Sequence, residues 1–85
     1  MTWYADFTPQ VRADLVGLDE SVGDALFDLL VEWSNEGPPL RGERTVGGFT
    51  FYEEVVAERF LLAYVVDQDR NRFLLLWLRN RPGSY

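Results

Sequence analysis

The chain has 85 residues, of which 8 are basic and 14 acidic, for a formal net charge of −6. It contains no cysteine and no histidine, so disulfides and thiolate chemistry are excluded, as are the commonest metal ligand and the commonest general base. The apolar share of 47% supports a packed core, and no run approaches the roughly 20 apolar residues that a bilayer-crossing helix needs.

A single domain spanning 1–85 is expected, with no metal and no cofactor. The start MTWYADF has no basic region leading into an apolar stretch, so the expected compartment is the cytoplasm. Lysine is absent and every basic residue is arginine. Arg59, Arg70, Arg72, Arg79 and Arg81 fall in the last third, whereas Asp14, Asp19, Glu20, Asp24, Asp28, Glu32 and Glu36 crowd the first half. The acidic total runs against a general affinity for polyphosphate, but the molecule is dipolar along its sequence.

Trp3 to Phe7 alternate and carry aromatics, which predicts a short strand. Thr8-Pro9 follows as a helix start, with threonine as cap and proline in the first turn. Val11, Leu15 and Leu18 recur at helical spacing, and Gly17 ends that helix early. Asp19 or Ser21 opens a second helix, in which Val22, Ala25, Leu26, Leu29, Leu30 and Trp33 form one stripe. Asp24, Asp28, Glu32 and Glu36 line another side as a solvated acidic row. The prolines and glycines of EGPPLRGERTVGG predict a loop. Phe49 to Val56 then alternates as a half-buried strand, with Phe49, Phe51, Glu53 and Val55 on one face. FLLAYVV and RFLLLWLR are apolar on both faces, which predicts central strands joined by the polar turn DQDRN. The expected fold is α+β and two-layered, β-α-α-β-β-β, with an antiparallel sheet covered on one face by a helix pair.

Three stretches in this order resemble the RelE/ParE superfamily of toxins from type II toxin-antitoxin systems. They are DFTPQVRADLVGLDESVGDAL, the LRG of Leu40 to Gly42, and RFLLAYVVDQDRNRFLLLWLRNRPGSY. The resemblance implies an antitoxin partner and a ribosome-bound mRNA or DNA gyrase as target. It places Tyr64 and Asp67 on the family's strand tyrosine and closing aspartate, Arg81 on the arginine after the last strand, and Tyr85 on the terminal tyrosine. Leu61 stands where RNA-cleaving members carry an arginine, and Tyr52 and Glu54 stand where many ribosome-dependent members carry lysines.

RNA cleavage of that kind needs a proton taken from a 2′-hydroxyl and positive charge at the phosphorane. The resemblance therefore implies a weakened catalytic set of Arg81, Glu54 as base and Tyr85 as a stacking group. RNA contacts would come from Arg79, Arg41, Arg44 and Tyr52. The plainer reading of each is open beside it: arginines solvating a sheet end or a loop, and a terminal tyrosine with no role. A ParE-like gyrase inhibitor and a non-catalytic protein-binding module of the same fold are the alternative functions.

Overall fold

The computed structural model describes residues 2–82. The elements are β1 (Tyr4–Phe7), α1 (Pro9–Leu15), α2 (Glu20–Glu36), β2 (Glu43–Val46), β3 (Phe49–Val56), β4 (Phe60–Asp67) and β5 (Arg72–Asn80). They form one five-stranded sheet in the order β1-β5-β4-β3-β2, with α1 and α2 packed on one face. The two-layer α+β architecture is the one the sequence predicts. Two features differ: β1 pairs with β5 in parallel, and the segment read as a loop contains β2.

The strand β2 pairs with β3 from Glu43↔Tyr52 to Val46↔Phe49 across Gly47-Gly48, which sit at φ 60° and 80°. Positive φ at both central residues is what a tight right-twisted hairpin requires, and glycine adopts it without steric cost. The next hairpin is less well matched to its residues. Ala57 and Glu58 take φ 52° and 60°, and the Arg59 N–H donates to the Val56 carbonyl at 3.2 Å. Ala57→Gly should therefore raise stability by about 0.5–1 kcal/mol, the relief of a left-handed residue less the entropy glycine adds to the unfolded chain. Urea unfolding checks this; an unchanged or lower midpoint would show the turn is not strained.

The helix-side core holds Val11, Val22, Leu26, Trp33, Val56, Leu62, Tyr64, Phe73, Leu75 and Leu78. Trp33, on the apolar stripe of α2, tilts against Tyr64 at 4.6 Å and meets Phe73 edge-on at 5.6 Å. Gly37 ends α2, its N–H bonded to the Trp33 carbonyl at 2.8 Å, and its bare α-carbon lies against the Trp3 indole. The acidic row Asp24, Asp28, Glu32 and Glu36 is exposed. No helix among the described residues is long and apolar enough to cross a membrane.

The junction between β1 and α1 closes the edge of β5. After the parallel pairing ends at Phe7↔Leu75, the Thr8 N–H donates to the Leu75 carbonyl at 3.1 Å and its hydroxyl donates to that of Leu76 at 2.6 Å. The same hydroxyl caps α1 by accepting the Val11 N–H at 3.1 Å. One turn on, the Asp14 carboxylate accepts the Leu78 N–H at 2.9 Å. An exposed strand edge would template pairing with other chains, and these contacts occupy it.

Candidate functional site

The strand alternation leaves a second sheet face without helices. It carries Phe51, Ala63 and Leu76 as a small buried cluster, with Val65, Leu74 and Trp77 packed around it. A β-bulge decides what the end of β5 presents here. Ala63 pairs with Trp77 but Tyr64 pairs with Leu75, so Leu76 is an extra residue. Before the bulge, Phe73 and Leu75 point to the helices; after it, Leu78 does, and Trp77 and Arg79 point to the open face. Bulges commonly re-aim side chains in this way near functional surfaces.

The result is a charged cluster on an apolar face. Glu53, nearly buried at 8% side-chain exposure, accepts from Arg44 Nη1 at 3.2 Å and from Arg79 Nη2 at 3.4 Å. Both arginines are half-exposed, so each keeps donors for a ligand. The Arg79 guanidinium also lies 5.7 Å from the Trp77 ring centre, and Phe51 meets that ring edge-on at 5.0 Å. Arg81 is placed at the same end of the sheet: its N–H donates to the Arg59 carbonyl at 2.9 Å and its guanidinium to the Glu58 carbonyl at 3.4 Å. Arg59 itself faces Asp19 at 3.6 Å. The other end of the face is neutralised, since Arg72 grips Asp6 with two bonds of 3.0 Å and Arg70 meets Asp67 at 3.4 Å. The hydrogen bond from Arg72 holds the Asp6 carboxyl below the usual carboxylate range.

The predicted site residues divide between the two faces. Arg44 and Arg79 share the open face and Arg81 borders it, but Glu54 points to the helix side, where it bonds Arg41 at 3.1 Å. That bond raises the Arg41 pKa further above its already high ordinary value. Tyr52 is also on the helix side, its ring 5.7 Å from Tyr64. The structure thus does not bring Glu54, Arg41 or Tyr52 to Arg79, because odd and even positions of β3 face opposite ways. Tyr85 lies outside the described residues. Trp77 belongs to the open face, packed against Phe51, Ala63 and Leu76. Glu53 is the carboxylate that sequence reasoning left without a role; its position beside Phe51 in the alternation was the available signal. Among the described residues no acidic group is arranged to hold a metal.

Tyr64 is fully buried and donates its hydroxyl to the Pro39 carbonyl at 2.6 Å, tying the segment after α2 to the sheet. Burial pushes its pKa well above the tyrosine range, with the Glu54 charge adding to the shift and Arg41 opposing it. The folded state therefore disfavours the phenolate. Its contribution to stability is complete below the unfolded value of about 10 and is lost as pH rises toward the folded value. The unfolding free energy from urea titrations at pH 9 to pH 12 should fall by up to about 1.4 kcal/mol per unit above pH 10, and Tyr64→Phe should remove that part of the fall. An identical alkaline loss in the variant would assign it elsewhere.

No protein-family model matches the chain, and no curated protein matches its sequence. Solved structures do match along the whole length. The archaeal RelE-RelB complex from Pyrococcus horikoshii gives a TM-score of 0.75 at 17% identity, covering 99% of this chain and 100% of that one. A metal-bound toxin from Helicobacter pylori gives 0.68 at 19%, covering 100% of both chains. The RelBE2 toxin-antitoxin complex from Mycobacterium tuberculosis gives 0.65 at 19%, covering 95% and 93%. At such identities the likeness is one of architecture. A helix pair over this five-stranded sheet is the RelE toxin fold, as the resemblance in sequence implied.

Proposed function

We propose that the chain is the toxin of a type II toxin-antitoxin pair, RelE/ParE-like, restrained by an antitoxin polypeptide and acting through the open sheet face. The observation that carries this reading is the end-to-end agreement of fold with toxins, two of them from structures of toxin-antitoxin complexes. The site adds a chemical argument. The guanidinium groups of Arg44 and Arg79 flank a single carboxylate, that of Glu53, and Arg81 follows at the end of β5, in a protein whose total charge is negative. Half-exposed guanidinium groups beside aromatic rings suit a single-stranded polyanion, with forked bonds to phosphate and π-faces for bases.

In this reading Arg79 and Arg81 hold the scissile phosphate of an mRNA and stabilise charge on its oxygens. Among the described residues no freely presented base stands beside them: both Glu53 oxygens are taken by guanidinium groups, the Asp14 carboxylate accepts from Gln10 and the Leu78 N–H, and Glu54 is on the far side. With Leu61 at the strand-arginine position, this favours a protein that depends on its target, such as the ribosome, to complete the reaction. The same two features also support the second reading, a binding module of the RelE fold without chemistry.

Induced expression distinguishes these readings. Wild type should arrest growth, and Arg79→Ala with Arg81→Ala should restore it at equal soluble protein level. Primer extension should map new mRNA ends in the wild type alone. Arrest with intact mRNA and altered plasmid supercoiling would favour the gyrase reading. Harmless accumulation of wild-type protein would favour the module.

A further inference from the structure

We infer that the recess between α1 and the end of β5 is a subsite for a nucleobase that carries an exocyclic amine. The inference rests on the RNA reading of the open sheet face and names which bases that surface accepts beside the phosphate.

The recess has a volume of about 390 Å³ and is lined by Gln10, Asp14, Trp77, Leu78 and Arg79. That lies in the range of about 300–1,000 Å³ usual for small-ligand sites. Trp77 and Arg79 also belong to the open face, so the recess is a lateral extension of it. Trp77 is a poor choice for packing alone. Its Nε1 is buried without a hydrogen-bond partner, which no other side-chain nitrogen or oxygen among the described residues is. Leaving a buried donor unpaired costs about 1–3 kcal/mol. Phenylalanine would meet Phe51 without that cost; what the indole adds is a wider π-face on which a base can stack.

The polar lining is held by hydrogen bonds. Gln10 Nε2 donates to Asp14 Oδ1 at 2.8 Å, and the Leu78 N–H donates to Asp14 Oδ2 at 2.9 Å. Each carboxylate oxygen is engaged once and retains a second lone pair. With its nitrogen on Asp14, the Gln10 amide offers its carbonyl as a further acceptor. The α1 side of the recess is therefore rich in acceptors, while Arg79, half-exposed, supplies donors at the open face.

This division selects the ligand. A phosphate is repelled by Asp14 and belongs with Arg79, and a small cation is repelled by Arg79. A flat ring with an amino group suits both, stacking on the indole and donating N–H to the carboxylate. Adenine, guanine and cytosine have that amine, and a carboxylate is the usual acceptor for the cytosine N4 group. Uracil would set a carbonyl oxygen against the carboxylate, leaving two acceptors face to face.

Fluorescence anisotropy at low salt tests this with matched strands. A short labelled uridine strand is compared with the same strand carrying one central cytidine, and an inosine-containing strand with its adenosine counterpart. Within each pair a ring carbonyl is exchanged for an amine. The amine-bearing strand should bind about tenfold tighter, as expected of one hydrogen bond to a charged group. Asp14→Asn keeps an acceptor for the Leu78 N–H but gives the recess a donor, and should bring both ratios to about one. Gln10→Lys, at an exposed position, should do the same by pairing with the carboxylate, and decides the matter should Asp14→Asn fold poorly. Trp77→Leu should weaken all strands by about tenfold. Equal wild-type binding of both strands in each pair, lost in Arg79→Ala, would overturn the subsite and leave the RNA reading standing. A ratio that persists in Asp14→Asn and Gln10→Lys would place amine recognition elsewhere and overturn the subsite too. Failure of every strand to bind would overturn both.

Discussion

Trp33→Ala is expected to cost about 3–5 kcal/mol, the range for deleting a large buried aromatic. A domain of this size has only about 5–15 kcal/mol of net stability, so the variant should be near its unfolding threshold at growth temperature. The reason is the position of the ring. Trp33 is 2% exposed and touches Tyr64 and Phe73 on adjacent central strands, so it is the main wedge between α2 and the sheet. Its loss also loosens the end of α2, where Gly37 packs on Trp3 and the Trp3 N–H reaches the Ser34 carbonyl at 2.8 Å. At about 4–8 °C per kcal/mol, the melting temperature should drop by about 12–40 °C, with Trp33→Phe intermediate. A drop of only a few degrees would mean that α2 is held by other contacts.

The second large effect concerns Glu53. Replacing it by glutamine keeps the shape of the side chain but removes the charge that now engages Arg44 and Arg79. Two guanidinium groups become available to phosphate. If the open face meets RNA, binding of a short single-stranded RNA at low salt should tighten by about tenfold, and the log-log salt slope should steepen by about one phosphate contact. Fluorescence anisotropy at several salt concentrations measures both. No change in affinity or slope would remove the open face from consideration as an RNA surface. Toxicity read in parallel separates two roles for the carboxylate. A rise would make Glu53 a restraint on the arginines, and a loss despite tighter binding would make it a proton acceptor.

The parts of the fold that were legible in the sequence are those whose burial imposes a period. The stripe from Val22 to Trp33 gives α2, Thr8-Pro9 gives the start of α1, and the alternation from Phe49 to Val56 gives β3 with its facing. The strand β2 left no such trace, because all four of its residues are exposed and its place depends on pairing with β3. The one local signal was Gly47-Gly48 between Val46 and Phe49, a hairpin signature set among enough prolines and glycines to read as loop. The candidate site was legible as composition rather than as arrangement. Arginines near the chain's end could be counted, but that Arg79 reaches across β4 to Glu53 while Glu54 turns toward Arg41 depends on sheet register. Register of this kind is a long-range property that no local pattern contains.

The irregularity at Leu76 has an evolutionary corollary. Removing that single residue would set Trp77 directly after Leu75 in a regular strand, so Trp77 and Arg79 would still face the open side and Leu78 the helices. The bulge therefore absorbs a change of one residue in length, and what the strand's end offers to solvent survives it. Within this architecture, a relative lacking one residue here would keep its guanidinium on outward display, whereas a strand of the same length laid down without the bulge would turn that group under the helices.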